Sequence, residues 1–355
     1  MPAPRENSAL APAASTLEAT LSRAWLRRGL LACTLWPLSR LFGAVLALRR
    51  MLYHHGWLTS VRLPVPIIIV GNVFVGGTGK TPLVIWLVDA LRRAGRAPGV
   101  ISRGYGASAE VPRLVSPEAT PQQVGDEPLL IARRAQCPVM VGRDRVAAAQ
   151  ALLAAHPELD CIVSDDGLQH YRLARDVEIV LFDGRGAGNG WLLPAGPLRE
   201  PATRRRDFTV INAEQGADAP AGMPADVYRM HLAGAIAQRL CDPAQQLPLR
   251  VMGGTRKNIV AAAGIGNPAR FFTTLRQAGL AFAELPLPDH YDFSLNPFAD
   301  IAADIILITE KDAVKCALVT ELKNDPRLWV VPVTAHLDGA LAQQILEKCR
   351  GHSTA

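Results

Sequence analysis

Residues 67–83 read IIIVGNVFVGGTGKTPL. The β-branched run Ile67, Ile68, Ile69, Val70 predicts a buried strand, a glycine-rich loop follows, and a helical pattern opens at Thr81. Strand, glycine loop and helix start are the setting in which a Gly-Lys-Thr motif holds a nucleotide phosphate. Gly76, Gly77 and Gly79 let the backbone turn its N–H groups inward without a Cβ clash. The helix N-terminus adds partial positive charge. Lys80 is expected to reach the β- and γ-phosphates, and the Thr81 hydroxyl to ligate Mg²⁺. The pattern G-x-x-x-x-G-K-[ST] puts its first glycine where this chain has Phe74. The run from Val75 to Thr81 instead looks like the G-G-x-G-K-T variant of the loop. The expected nucleotide-binding residues are therefore Phe74, Val75, Gly76, Gly77, Thr78, Gly79, Lys80 and Thr81.

Around this loop the chain is long enough, at 355 residues, for two domains. A composition of 49% hydrophobic and 20% charged residues is globular and excludes overall disorder. A net charge of +6 points to an anionic partner: phosphate, nucleic acid or membrane. The cysteines at 33, 137, 161, 241, 316 and 349 have no C-x-x-C spacing, which argues for reduced thiols and against zinc or a disulfide framework.

Residues 1–16 read as a frayed lead. Residues 17–57 are rich in Leu and Trp and carry Arg23, Arg27, Arg28, Arg40, Arg49 and Arg50, with no acid after Glu18. The longest charge-free interval, 29–39, is too short to span a bilayer. A basic, Trp-bearing pair of amphipathic helices broken near Pro37 suits a membrane interface with anionic lipid. An arm packed on the domain, with solvated arginines, is the alternative.

Downstream, strands alternate with helices, which predicts parallel sheets with helices on both faces and ligands at the carboxyl ends of strands. Segments of interest fall at such ends. Arg103 lies in SRGYG. Asp126 and Glu127 open a helix, where capping alone accounts for one acid. Arg145 follows the strand at 139–141. The apolar strand ending in Asp165 and Asp166 is where phosphate-loop folds place the carboxylate that holds Mg²⁺. His170 is a lone histidine. Arg199 and residues 204–206 form a basic cluster near a proline-glycine loop at 190–201. An Ala/Gly/Pro-rich shift at 215–226 reads as a linker between a core domain at 58–214 and a smaller α/β domain at 227–350. Thr309–Asp312 lacks the asparagine and spacing of a guanine reader, so guanine specificity is not expected.

Together, GNVFVGGTGKTP, SRGYG, GDEP, GRDR, SDDGLQH, LLPAGPLREP, GIGNPARFF, PDHYDF and TEKDAVK, in that order, closely resemble the tetraacyldisaccharide 4′-kinase family, the lipid A 4′-kinases of Gram-negative bacteria. The resemblance implies a phosphate-loop α/β kinase domain, a second α/β domain and a monotopic enzyme on the cytoplasmic face of the inner membrane. It implies phosphoryl transfer from ATP, with Mg²⁺, to the 4′-hydroxyl of an anionic acylated glucosamine disaccharide, with membrane surface and not nucleic acid as partner. By motif, Asp126 is the expected base, with His290 orienting or sharing the proton. Thr81 and Asp165 are expected to hold Mg²⁺, with Asp166 and Glu127 as further contributors. Lys80 and Arg145 are candidates for stabilising transferred charge, and Arg103, His170 and Arg199 for binding substrate. A nucleotide-switch ATPase or GTPase acting on a protein partner is the competing reading.

Overall fold

The computed structural model describes residues 23–104 and 111–351, apart from 215, 217, 221, 225, 255 and 256. The lead expected at 1–16 lies outside the described residues, as do Tyr105 and Gly106 of SRGYG.

The β-branched run forms strand β1 (Ile67–Gly71), which is buried throughout. Its side chains alternate between two cores: Ile68 and Val70 enter one with Leu83, Leu87 and Val163, while Ile67 and Ile69 enter the other with Ile162, Val180 and Phe182. A strand buried on both faces belongs in the middle of a parallel sheet. β1 is flanked in parallel by β5 (Cys161–Asp165) and β6 (Val177–Asp183). The sheet extends on one side through β2 (Pro98–Ser102) and β4 (Val139–Val141) to a two-residue antiparallel edge, β3 (Arg113–Leu114). On the other side it runs through β7 (Phe208–Asn212), β8 (Tyr228–Ala233) and β15 (Thr334–Leu337).

A second sheet has β11 (Ile259–Ala263) and β13 (Ile305–Thr309) at its centre. Ala261, Ala263, Ile305 and Leu307 face one core, and Ala262, Ile306 and Ile308 the other. Parallel β12 (Ala283–Pro286) and β14 (Leu328–Val331) flank them, and antiparallel β9 (Ile236–Arg239) and β10 (Gln246–Pro248) finish one edge.

The expected boundary at 227 does not coincide with the sheets. β8 pairs in parallel with β7 of the first sheet, Val210 opposite Tyr228. After the second sheet the chain returns: β15 pairs antiparallel with β8, and Leu341, Ile345 and Cys349 of the last helix (Ala340–Arg350) fill the core beneath β1. A linker-like composition thus falls between two strands, β7 and β8, that pair in one sheet.

The N-terminal segment also departs from expectation. Instead of two helices broken at Pro37, one 25-residue helix, Leu30–His54, runs through it. Pro37 removes a single hydrogen bond, to the carbonyl of Cys33, whose exposed position leaves that carbonyl to solvent. Among this helix's residues only Ala32 and Ser39 are buried. Leu30, Leu41, Val45, Leu48 and Met51 are exposed. With mean hydropathy 1.6 over an 18-residue window, the helix is long and apolar enough to cross a membrane by length and composition. The segment is pinned to the first sheet's loops: ahead of the helix, Trp25 Nε1 donates to Pro194 O (2.9 Å) and Arg28 Nε to Asn189 O (3.1 Å), and within it Ser39 Oγ donates to Leu192 O (2.8 Å).

Candidate active site

The phosphate loop lies between β1 and the helix Lys80–Arg93. Gly79 caps that helix in the left-handed region (φ 96°), and a Cβ there would stand 2.3 Å from Asn212 Nδ2, so only glycine fits. Asn72 organises the loop from inside: its Nδ2 donates to Phe74 O (2.7 Å) and Gly76 O (3.1 Å), and its Oδ1 accepts from Lys80 Nζ (3.1 Å). Asn212 Nδ2 and Arg270 Nη1 donate to Thr78 O (2.9 and 3.3 Å), and Arg185 Nη2 donates to Gly77 O (3.2 Å). Phe74, where the longer pattern has glycine, is buried and pairs its backbone with Leu198, while the Arg185 guanidinium sits 4.2 Å over its ring. Thr78 is buried, and its hydroxyl has no partner among the described residues. Thr81 is the second residue of the helix that follows.

Lys80 Nζ also pairs with Asp166 Oδ1 (3.1 Å), and Arg199 Nη1 with Asp166 Oδ2 (3.1 Å). Burial disfavours the Asp166 carboxylate, yet Lys80 and Arg199 outweigh it and hold its pKa down to about 2. Asp165 is the opposite case. It is 1% exposed, accepts from Ser102 Oγ through one oxygen (3.0 Å), and its other oxygen has no partner among the described residues. Burial, and then the charge of Glu127, push its pKa well up. Among the described residues no three His, Cys, Asp or Glu side chains cluster as a metal cage. Mg²⁺ needs only one or two protein carboxylates beside phosphate and water. A buried carboxylate with an orphaned oxygen and a second acid close by fits such a cation.

The remaining cluster spans both sheets. Asp126, 3% exposed, opens the helix Asp126–Ala135 of the first sheet. His290 lies in a turn after β12, itself in the left-handed region at φ 59°, and its Nδ1 stands 3.1 Å from Asp126 Oδ2. A carboxylate only accepts, so this contact puts the proton on Nδ1. Lys315 Nζ is 3.2 Å from the same oxygen. Lys311 Nζ is 3.2 Å from Glu127 Oε1, 3.6 Å from Asp289 Oδ1 and 3.4 Å from His290 Nε2. Burial works against ionisation of Asp126, but His290, Lys311 and Lys315 hold its carboxyl far below the usual range. Lys311 and Lys315 share one face of the helix Glu310–Cys316, and neither was expected at the site. Their i, i+4 spacing within TEKDAVK is the only sequence signal.

The cradle and this cluster meet. A Cβ on Gly266, in the turn after β11, would lie 3.0 Å from Gly77 N and 3.1 Å from Asp289 Oδ2.

Other expected residues are placed differently. Arg145 is 1% exposed and donates to Gly142 O (2.6 Å) and Asp165 O (3.4 Å), so it braces the strand ends behind the site. Burial lowers its pKa to about 10. Arg204 is buried and paired with Glu178 (2.7 Å) and Glu200 (3.1 Å), and Arg206 donates to Thr209 Oγ1 (2.7 Å), so neither faces a ligand. His170 sits beside Arg145, its pKa pulled down to about 4 by burial and then by Arg145 and Arg103. Arg103 is exposed at the end of β2.

Comparison with known proteins identifies the family. The family model described as tetraacyldisaccharide-1-P 4′-kinase matches residues 31–350. The chain is 64% identical to the tetraacyldisaccharide 4′-kinase of Herminiimonas arsenicoxydans, over 96% of this chain and 98% of that one. It is 65% identical to that of Janthinobacterium sp. (strain Marseille), over 96% and 99%. The crystal structure of LpxK from Aquifex aeolicus in complex with ATP superposes with TM-score 0.73 at 29% identity, covering 90% of this chain and 99% of that one. These matches leave the nucleotide-switch reading without support. The chain belongs to the tetraacyldisaccharide 4′-kinase family.

Proposed function

We propose that this chain transfers the γ-phosphoryl group of ATP to the 4′-hydroxyl of a tetraacyldisaccharide 1-phosphate at a membrane surface. The observation that carries this reading is the Asp126–His290 contact across the two sheets, at 3.1 Å, with Gly266 of the second sheet against Gly77 of the phosphate loop. Phosphoryl transfer needs a phosphate clamp and a group that orients the acceptor hydroxyl, side by side.

Lys80 and the loop amides hold the phosphates, and Asp165 with Thr81 is the set that fits Mg²⁺, Glu127 and Asp166 lying close. Mg²⁺ supplies neutralisation of the charge that builds on the phosphoryl oxygens. Asp126 accepts the acceptor's hydroxyl proton at Oδ2, and His290 fixes that carboxylate through Nδ1–H. A carboxylate so loaded with cations is a weak base. That is adequate where the transition state is loose and the proton leaves late. The hydroxyl reaches Oδ2 by displacing the most distant cation, Lys311, at 3.9 Å.

The exposed apolar face of the helix Leu30–His54, with Arg40, Arg49 and Arg50, seats the enzyme in the bilayer interface, on the cytoplasmic face where ATP is found. The test is transfer of label from γ-labelled ATP to the lipid in detergent micelles, wild type against His290→Ala. Labelled lipid with wild type, reduced about a hundredfold in the variant, is expected. Phosphate release without labelled lipid would overturn the kinase reading.

A further inference from the structure

The helix Asp126–Ala135 of the first sheet and the helix Glu310–Cys316 of the second meet at two points. One is the cluster already described, where Lys315 and Lys311 face Asp126 at 3.2 and 3.9 Å. The other lies further along the first helix, where Arg134 Nη1 donates to Glu310 Oε1. The second carboxylate oxygen of Glu310 accepts from Val333 N (3.1 Å), just ahead of β15, where the chain returns to the first sheet. We propose that Glu310, with Arg134, is a positioning residue for phosphoryl transfer. The pair sets the angle between the two helices, and through it the approach of the second sheet's cationic groups to Asp126. The inference rests on the kinase reading and deepens it.

From residue 126 to residue 134 a helix rises about 12 Å, so the two contacts are well separated. One contact alone is a pivot, and the second fixes the direction. A tilt of about 5° over that length moves one end by roughly 1 Å, and a misplacement of that size is enough to cost about a hundredfold in rate. The groups such a tilt would move belong to the divided site. Lys311 Nζ stands 3.4 Å from His290 Nε2 and 3.2 Å from Glu127 Oε1. Lys315 Nζ donates to Tyr291 O (3.0 Å), in the turn that carries His290.

A purely stabilising role accounts less well for the pair. The Arg134 side chain is 29% exposed and that of Glu310 13%, and an ion pair so close to water contributes little to stability. An acid in the first turn of a helix suits the helix dipole, but Asp would serve that purpose equally. Reaching Arg134 with one oxygen and Val333 N with the other takes the longer side chain. Arg134, in the last turn of its own helix, has Glu310 as its only carboxylate partner among the described residues.

The experiment measures transfer of label from γ-labelled ATP to the acylated disaccharide 1-phosphate in micelles, with nucleotide titration of the same samples to count active sites. Wild type is compared with Glu310→Ala, Glu310→Gln, Arg134→Ala and the double variant Arg134→Ala/Glu310→Ala. The expected result is a kcat per active site lowered about tenfold in each single alanine variant, with ATP KM nearly unchanged. The double variant loses no more than Glu310→Ala, because both substitutions remove the same contact. Glu310→Gln keeps an acceptor for Val333 N and recovers part of the rate. Arg134→Ala removes the contact from its more exposed side, so the test stands even if Glu310→Ala folds poorly. Losses that multiply in the double variant, or that appear in ATP KM, would overturn the proposal. Fewer active sites with an unchanged kcat per site would overturn it too, leaving the pair a stabilising contact. No labelled lipid with wild type would instead bring down the kinase reading itself.

Discussion

The phosphate cradle and the Asp126–His290 cluster sit side by side, yet they are built in opposite ways. The cradle comes mostly from one run of chain. Asn72 bonds Phe74, Gly76 and Lys80 within eight residues, and Gly79 is fixed by its own backbone conformation. The cluster joins residues 164 apart in sequence, on two sheets, and is held by charge. Asp126 contributes to the first sheet, whereas His290, Lys311 and Lys315 belong to the second. A contiguous site survives relative movement of the two sheets. A divided site exists only when they are together, so its chemistry is conditional on closure.

The sharpest way to break this contrast is Asp126→Asn, which keeps the shape and removes the negative charge. Turnover should fall about 10²- to 10⁴-fold with ATP binding nearly intact, because the cradle does not use Asp126. Single-turnover transfer and nucleotide titration on the same sample separate the two effects. An equal loss in nucleotide binding would show that cradle and cluster are one unit.

The same contrast explains what could be read in the sequence. Strand, glycine loop, Lys-Thr and the acids after β5 are local patterns, and local patterns survive in one dimension. The pairing of Asp126 with His290 has no local signal, and only the family resemblance linked them. Lys311 and Lys315 look like solvated helix lysines until the first sheet brings Asp126 over them. Arg204 reads as an exposed cation because its partner Glu178 lies a full strand away in sequence. The strands β3, β9, β10 and β15 are antiparallel pieces of two to four residues at sheet margins, too short to show a period in the sequence. The return of β15 to the first sheet is a matter of topology alone, and composition does not record it.

A second prediction moves from chemistry to cohesion. Lys315 is the nearest lysine to a buried carboxylate, their side chains being 9% and 3% exposed. Lys315→Met leaves Asp126 buried with less compensation, which should destabilise the fold by roughly 3 kcal/mol. The pair's contribution follows from the depressed Asp126 carboxyl. It is present above the ordinary carboxylate pKa and is lost as pH falls through the depressed native value. Denaturant melts of wild type and variant at neutral pH should therefore differ most, and the gap should close on acidification. A gap independent of pH would assign the loss to packing of the Lys315 stem.

The smallest effect tests the line where the two regions touch. Gly266 has an ordinary backbone conformation, so Gly266→Ala is not excluded by φ. Its Cβ would nonetheless meet Gly77 N at 3.0 Å and Asp289 Oδ2 at 3.1 Å. Either the phosphate loop or the Asp289–His290 turn must give by a few tenths of an ångström. The loop is tied by Asn212, Arg270 and Arg185, while Asp289 is partly exposed and ends in a side chain that can turn away. The strain should therefore fall on the cluster, at roughly 1 kcal/mol, or about fivefold. It should appear in kcat, with ATP KM nearly unchanged. If ATP KM rose instead while kcat held, the loop would be the softer of the two, and the cradle would owe part of its shape to the second sheet.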